Sequence, residues 1–350
     1  MLDSAGRLPT PRPESTMPEM RRDGLLNRWV IFAPGRFSRP DDFQTAAGHS
    51  PQPPLCPFCE GHEQLSGPET YARRAIGTAS DTPGWQIRVV HNRFPALQPD
   101  APPVSRNSGP ETIQAAVGVH EVVVESPLHL ALSATHPAET WRMLLEVYQQ
   151  RLLSFRENHR WQHALIFKNH GPAAGASLQH PHSQILVMPR VPTLVADEWQ
   201  EAEIWQTTHG RCPRCDQLER ELVGKDRLVS VSPEIAVFCP EASRFPYEAW
   251  LLPRSHGSHF EYAPAAVLAE LADHLARLLS QLQRLVPRVN YNLVLQTAPL
   301  SKDPSPAFHW RIEILPRLTG LAGFEIGSGW FINPLEPEQA AQQLRAGFEG

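Results

Sequence analysis

Two cysteine pairs and one histidine-dense segment hold most of the chemistry this chain offers. Cys56 and Cys59 frame C-P-F-C, Cys212 and Cys215 frame C-P-R-C, and residues 168 to 189 read KNHGPAAGASLQHPHSQILVMP. A C-x-x-C spacing suits either a redox dithiol or half of a metal site that needs two further ligands. The fifth cysteine, Cys239, makes the total odd, which argues against a disulfide framework. Two isolated histidines follow each pair: His129 and His180 after the first, His256 and His309 after the second, 51 and 53 positions apart. Cys2His2 is the ligand set of a tetrahedral zinc site, and four protein ligands leave no position for a reacting water. Two structural zinc sites are therefore expected. His120, His136 and His259 compete for the histidine positions but break the internal register.

The segment H-P-H-S-Q (180 to 184) is the candidate reactive centre. On an extended strand alternate residues share a face, so His180, His182 and Gln184 would project together. With His180 clamped to a metal, His182 stands beside a rigid anchor. A neutral imidazole can attack phosphorus and form a covalent phosphoramidate, dividing one hard transfer into two easier ones. Its other ring nitrogen needs an acceptor to hold the tautomer, and the backbone carbonyl of His180 is a suitable one. Upstream, Gly171, Gly175 and Ser177 offer close backbone approach and a hydroxyl to phosphate oxygens, while Asn169 and Gln184 add neutral donors. A lone strand histidine is more often a hydrogen-bonded core residue; the clustering points to phosphoryl chemistry.

The elements that must position these residues recur in one order. Strands are expected at Trp29 to Phe32, Gln86 to Arg93 and Glu121 to Glu125, with C-P-F-C after the first. A helix starting near Thr135, with Pro137 in its first turn, places Trp141, Leu144, Leu145, Tyr148 and Leu152 on one face. Strands at Ala164 to Lys168 and His182 to Met188 follow. The second half repeats this: C-P-R-C, strands near Leu228 to Ser232 and Glu248 to Leu252, a helix through Val267, Leu271, Leu275, Leu278 and Leu282, then strands at Asn292 to Gln296 and Trp310 to Leu315. E-V-V-V-E-S-P-L-H (121 to 129) lies over E-A-W-L-L-P-R-S-H (248 to 256), and H-P-H-S-Q-I over H-W-R-I-E-I (309 to 314). Internal duplication explains this most simply. The second half has Arg311 and Glu313 where the first has His182 and Gln184, so one half reads as chemically active and the other as structural. The expected class is α+β, two tandem halves each with an antiparallel sheet and a packed helix. The expected boundaries are a flexible lead-in over 1–24, a catalytic half over 25–190 and a second half over 191–345, with loop or linker at 98 to 110 and 190 to 194.

Composition narrows the partners. The chain has 350 residues, 41% of them apolar, enough for two cores. A net charge of -5 gives no general attraction to polyanions, so nucleic acid is not an expected partner. No apolar run is long enough to span a bilayer, and the polar, Pro-rich beginning does not look like a signal sequence, so a cytoplasmic protein without membrane partners is expected. A non-catalytic zinc-ribbon module remains the alternative of another class, with the acidic balance against it.

H-P-H-x-Q after N-x-G-x-x-x-G-x-S resembles the signature of galactose-1-phosphate uridylyltransferases, a transferase branch of the histidine-triad superfamily. The resemblance extends to R-W-V-I-F-A-P-G-R-F-S-R-P (28 to 40), N-R-F-P-A-L (92 to 97), S-P-L-H (126 to 129) and G-F-E-I-G-S-G-W-F-I-N-P (323 to 334). It implies that His182 receives the nucleotidyl group from a nucleoside diphosphate sugar and that Gln184 hydrogen-bonds the transferred phosphoryl group. The family's hydrolases carry a third histidine where Gln184 stands. It also implies that Arg36 and Arg39 lie near the sugar-nucleotide phosphates, that Asn92, Asn169 and Ser177 lie near the nucleotide, and that the protein is a homodimer. The implied reaction is ping-pong, from UDP-glucose to galactose 1-phosphate. Ser328 and Gly329, where some uridylyltransferases carry a Tyr-Glu pair, and the second Cys2His2 set also resemble a plant-type branch that transfers adenylyl groups from ADP-glucose to phosphate.

Overall fold

Alternation of apolar and polar residues along short β-branched runs, interrupted by two long amphipathic segments, builds one broad sheet with helices against it. The computed structural model describes residues 19–22, 25, 29–32, 55–100, 105–108, 111–129 and 136–349. In chain order its strands are β1 (Glu19–Arg22), β2 (Trp29–Phe32), β3 (Glu69–Arg74), β4 (Trp85–His91), β5 (Ser105–Ser108), β6 (Glu111–Gln114), β7 (Val119–Val124), β8 (His163–His170), β9 (His182–Met188), β10 (Leu228–Val231), β11 (Ile235–Phe238), β12 (Ala249–Pro253), β13 (Tyr291–Gln296), β14 (Arg311–Pro316) and β15 (Phe331–Asn333). Its α-helices are α1 (Ala138–Arg156), α2 (Thr193–His209), α3 (Pro213–Gly224), α4 (Ala265–Leu285), α5 (Gly323–Ser328) and α6 (Pro337–Arg345). No helix among the described residues is long and apolar enough to cross a membrane.

The principal sheet has ten strands in the order β10-β11-β12-β14-β13-β8-β9-β7-β4-β3. Read outward from its centre, β8-β9-β7-β4-β3 and β13-β14-β12-β11-β10 are the same sequence of strands, so the duplication is a pseudo-two-fold axis between β8 and β13. Those two strands pair antiparallel with Phe167 opposite Val294. The sheets expected of the two halves thus join edge to edge into one, and the α+β class holds. Helices α1 and α4 lie on one face. Trp141, Leu144, Leu145, Tyr148 and Leu152 of α1 and Leu271, Leu275, Leu278 and Leu282 of α4 share a single core with Ile166, Ile185, Leu293 and Ile312 of the strands. Pro137 and Pro264 precede the first turns, where a missing N–H costs nothing. Side chains of the opposite face, free of these helices, carry the candidate site.

The structure shifts one sequence correspondence. Val122 pairs with Gln184 and Trp250 pairs with Glu313, so Val122 and Trp250 are equivalent, one residue off the alignment that matches Glu121 with Glu248. Alternation explains the shift: a one-residue slip would turn every side chain of β12 to the wrong face, so the deletion falls in the turn before His256. Glu248 is thereby the counterpart of His120. The linker expected at 190 to 194 is in part helix, because α2 starts at Thr193 and buries Val195, Trp199 and Ala202 at helical spacing. The last residues of the lead-in expected over 1–24 form β1, which pairs with β2; residues 1–18, 23 and 24 lie outside the described residues.

Candidate active site and metal clusters

Each C-x-x-C meets its two histidines. Cys56, Cys59, His129 and His180 converge, as do Cys212, Cys215, His256 and His309, with all ligand atoms of a group within 4.8 Å of one another. A tetrahedral zinc with Zn–S of about 2.3 Å and Zn–N of about 2.0–2.1 Å demands S···N edges of about 3.5–3.6 Å. The first cluster has Cys56 Sγ 3.6 Å and Cys59 Sγ 3.7 Å from His180 Nδ1, and Cys59 Sγ 3.5 Å from His129 Nδ1. In the second, Cys215 Sγ lies 3.4 Å from His256 Nδ1 and 3.5 Å from His309 Nδ1. His180 Nε2 donates to Ser126 O at 2.8 Å and His256 Nε2 to Ser305 O at 2.9 Å, which leaves Nδ1 as the lone-pair nitrogen toward the sulfurs. Both groups therefore fit a tetrahedral metal ion. The rival histidines are occupied elsewhere: His136 faces Glu125 at 3.3 Å and His259 faces Ser258 Oγ at 2.8 Å. Cys239 is buried in the shared core.

His182 begins β9, two residues after His180 of the first cluster. Its Nδ1–H donates to the His180 carbonyl at 2.8 Å, the acceptor expected from the sequence, and this leaves Nε2 as the lone-pair nitrogen. The ring is 7% exposed and lies against Phe58 at 5.4 Å between centroids. Burial lowers its pKa from the ordinary histidine value; the bond to His180 opposes this, and the Lys168 charge adds to the lowering. The neutral imidazole is the form with a lone pair to donate.

Around it, β9 and β7 carry Gln184 and His120 on the same face, with His120 Nε2 2.8 Å from Gln184 Oε1. Asn92, after β4, has its Nδ2 3.0 Å from the same His120 nitrogen. Asn169, on β8, accepts a hydrogen bond from Asn292 Nδ2 of β13 at 2.8 Å, and Asn292 also donates to Ala174 O at 2.9 Å. The structurally conservative half thus braces the loop of the other. Gly171 enters that loop at φ +82°, where a Cβ would sit 2.1 Å from Asn290 Oδ1, so only glycine fits. The loop differs from expectation in one respect. The N–H groups of Ala174, Gly175 and Ala176 bond within the loop, and that of Ala173 to Asn290 Oδ1, so these four turn the chain rather than meet a phosphate. Ser177 is exposed in the same segment. Arg36 and Arg39 lie outside the described residues. His170 stacks on Tyr291 at 4.9 Å.

Behind β9 is a buried charge pair that sequence reasoning missed. Lys168 Nζ donates to Glu125 Oε2 at 2.6 Å and to the His182 carbonyl at 3.3 Å. Burial works against the Glu125 carboxylate, but Lys168 and His136 outweigh it and hold its pKa down to about 2. A lysine inside the apolar strand A-L-I-F-K was the available signal. On the opposite face, at the second half's counterpart of His182, Arg311 donates two hydrogen bonds to Glu198 of α2, at 2.8 and 3.0 Å, and one to Glu313 at 2.9 Å.

Comparison with known proteins agrees with this architecture. The family model described as galactose-1-phosphate uridyl transferase, N-terminal domain, matches residues 10–192. The chain is 33% identical over 339 residues to an ADP-glucose phosphorylase of Arabidopsis thaliana, covering 95% of this chain and 93% of that protein. It is 30% identical over 338 residues to a galactose-1-phosphate uridylyltransferase of Thermotoga maritima, covering 94% and 98%. A crystal structure of an ADP-glucose phosphorylase from Arabidopsis thaliana with bound ADP-glucose superposes with a TM-score of 0.80 at 30% identity, covering 94% and 99% of the two chains.

Proposed function

Since the chain belongs to the galactose-1-phosphate uridyl transferase family, we propose that it moves a nucleotidyl group from a nucleoside diphosphate sugar to a sugar phosphate through covalent nucleotidyl-His182. The observation that carries this is the single hydrogen bond from His182 Nδ1 to the His180 carbonyl, which leaves Nε2 as an unprotonated nucleophile. In the first step Nε2 attacks the α-phosphorus of UDP-glucose. A P–N bond forms, the P–O bond to the departing phosphate breaks, and glucose 1-phosphate leaves with that electron pair. In the second, a phosphate oxygen of galactose 1-phosphate attacks the same phosphorus, the P–N bond breaks, and His182 returns to its neutral form. The Gln184 amide donates to a phosphoryl oxygen as charge builds there. Asn92, Asn169, Ser177, Arg36 and Arg39 bind the nucleotide and its phosphates. Cys56, Cys59, His129 and His180, and likewise Cys212, Cys215, His256 and His309, would hold structural zinc, which would lock the starts of β9 and β14. The reading extends to a cytoplasmic homodimer.

A second donor is favoured by specific observations. The second metal group is a complete Cys2His2 set, and the 33%-identical relative is an ADP-glucose phosphorylase. That reading moves an adenylyl group from ADP-glucose to inorganic phosphate by the same covalent route. Intact-protein mass after brief incubation with UDP-glucose or ADP-glucose tests both. A gain of one UMP supports the uridylyl reading, a gain of one AMP the adenylyl reading, and His182→Ala should show neither. No gain with either donor, in protein retaining two zinc ions, sinks the covalent mechanism.

A further inference from the structure

The amide of Gln184 can do its work only if its NH2 end, not its oxygen, faces the phosphoryl group. Its own strand does not decide this, because the two ends of an amide are nearly isosteric. His120 does. The backbone N–H of Ala96 points at His120 Nδ1 at 3.1 Å, and a backbone N–H only donates, so Nδ1 must be the acceptor. The neutral ring then carries its proton on Nε2. Two side chains reach that nitrogen, Asn92 Nδ2 at 3.0 Å and Gln184 Oε1 at 2.8 Å. The Asn92 amide is itself oriented, since its Oδ1 accepts from Phe94 N at 2.9 Å, so its Nδ2 meets Nε2–H donor to donor, makes no hydrogen bond there and cannot take the His120 proton. Gln184 Oε1 is the acceptor that remains. His120 is 8% exposed, which spares this hydrogen bond competition from water.

We propose that His120 is a positioning residue for the transfer: a chain from Ala96 N–H through the His120 ring to Gln184 Oε1 turns the Gln184 NH2 group toward the reacting phosphoryl oxygens. This rests on the nucleotidyl-histidine reading and adds to it the group that orients its donor. The duplicated half shows the same position put to another use. Glu248, the counterpart of His120, bonds Arg244 at 2.7 Å, and Arg244 in turn bonds Glu313, the counterpart of Gln184, at 2.6 Å. Both halves thus fix the side chain two residues beyond the His182/Arg311 position from the neighbouring strand, one with an imidazole and one with an ion pair.

The test uses two replacements that copy different ring nitrogens in the full-length, metal-loaded protein. His120→Asn keeps an acceptor for Ala96 but offers nothing at the Nε2 position. His120→Gln places an amide nitrogen near Nε2. The rate of adduct formation on His182 and the KM for the nucleotide sugar are measured for each, alone and combined with Gln184→Ala. His120→Asn should slow adduct formation by about ten- to a hundred-fold with KM little changed, the size expected for a misdirected transition-state donor. His120→Gln should recover most of the rate. In the Gln184→Ala background, His120→Asn should cost nothing further. Equal losses for Asn and Gln, or the full loss persisting without Gln184, would overturn the proposal and leave the covalent mechanism standing. If His120→Asn does not fold, His120→Phe in the same cycle gives the same reading. A wild type that forms no adduct would remove the mechanism and this inference together.

Discussion

The two halves place different chemistry on the same scaffold. At the start of β9, His182 keeps one ring nitrogen tied to a backbone carbonyl and leaves the other unprotonated. At the start of β14, Arg311 is spent on Glu198 and Glu313 and lies over the Trp250 ring at 4.7 Å. Both positions are buried and both follow a histidine of a Cys2His2 cluster. What separates them is whether the neighbours consume the side chain's bonding capacity. A guanidinium tied to two buried carboxylates stabilises; an imidazole held by one atom can react. Glu198 comes from α2, so the second site is closed by a helix as well as altered in its sheet.

That contrast can be broken in several ways. The largest effect should come from His182→Ala, which is expected to lower transfer by at least about 10⁴-fold while leaving the melting temperature near that of wild type. Steady-state transfer and thermal melts on one preparation check it; substantial residual turnover would mean the two strand starts do not differ as described. Arg311→Ala should do the reverse. It removes one of two guanidinium partners from each buried carboxylate, leaving Glu198 with Arg214 and Glu313 with Arg244, at a cost of about 3 kcal/mol, while the folded fraction still forms the covalent adduct. Urea melts paired with adduct mass would expose the contrast as mistaken if stability held and adduct formation vanished.

Acid should weaken the first half through His163 and Glu125, while buried His259 of the second half, likewise held down to about 4, adds a loss of the same kind there. Burial holds His163 down to about 4, so the folded state keeps it neutral where the unfolded chain takes up a proton. The unfolded state binds more protons in that window, so stability present above about pH 6.5 is lost as pH falls through 4, by about 3 kcal/mol. Glu125 has the depressed carboxylate pattern: its contribution is intact above about pH 4.5 and disappears as pH falls toward 2. Chemical melts of wild type and His163→Phe between pH 7 and pH 4 isolate the histidine part, because metal release affects both alike. Parallel stability curves for the two proteins would contradict it.

The smallest effect is expected where the halves touch. Asn292→Ala removes the donor that holds both Asn169 Oδ1 and Ala174 O, and should reduce adduct formation about ten-fold with little change in stability. An unchanged rate would show that the loop after β8 keeps its shape without support from β13.

Much of this was legible in the residue order. The C-x-x-C pairs, their histidines, the H-P-H-S-Q face and the two amphipathic helices are local patterns, and the side-chain periods of 2 and 3.6 make their faces readable. Even the His180 carbonyl as the partner of His182 followed from strand geometry, since the two lie two residues apart on one chain. What the residue order did not reveal depends on contacts between segments far apart in sequence. The joining of two sheets at β8 and β13, the one-residue shift of β12, the closure of the Arg311 site by Glu198 and the orientation of Gln184 by His120 each pair residues from different strands or helices. Hydrogen bonds and ion pairs of that kind carry no periodic mark in the sequence, because their partners are chosen by where the packed sheet brings the strands together.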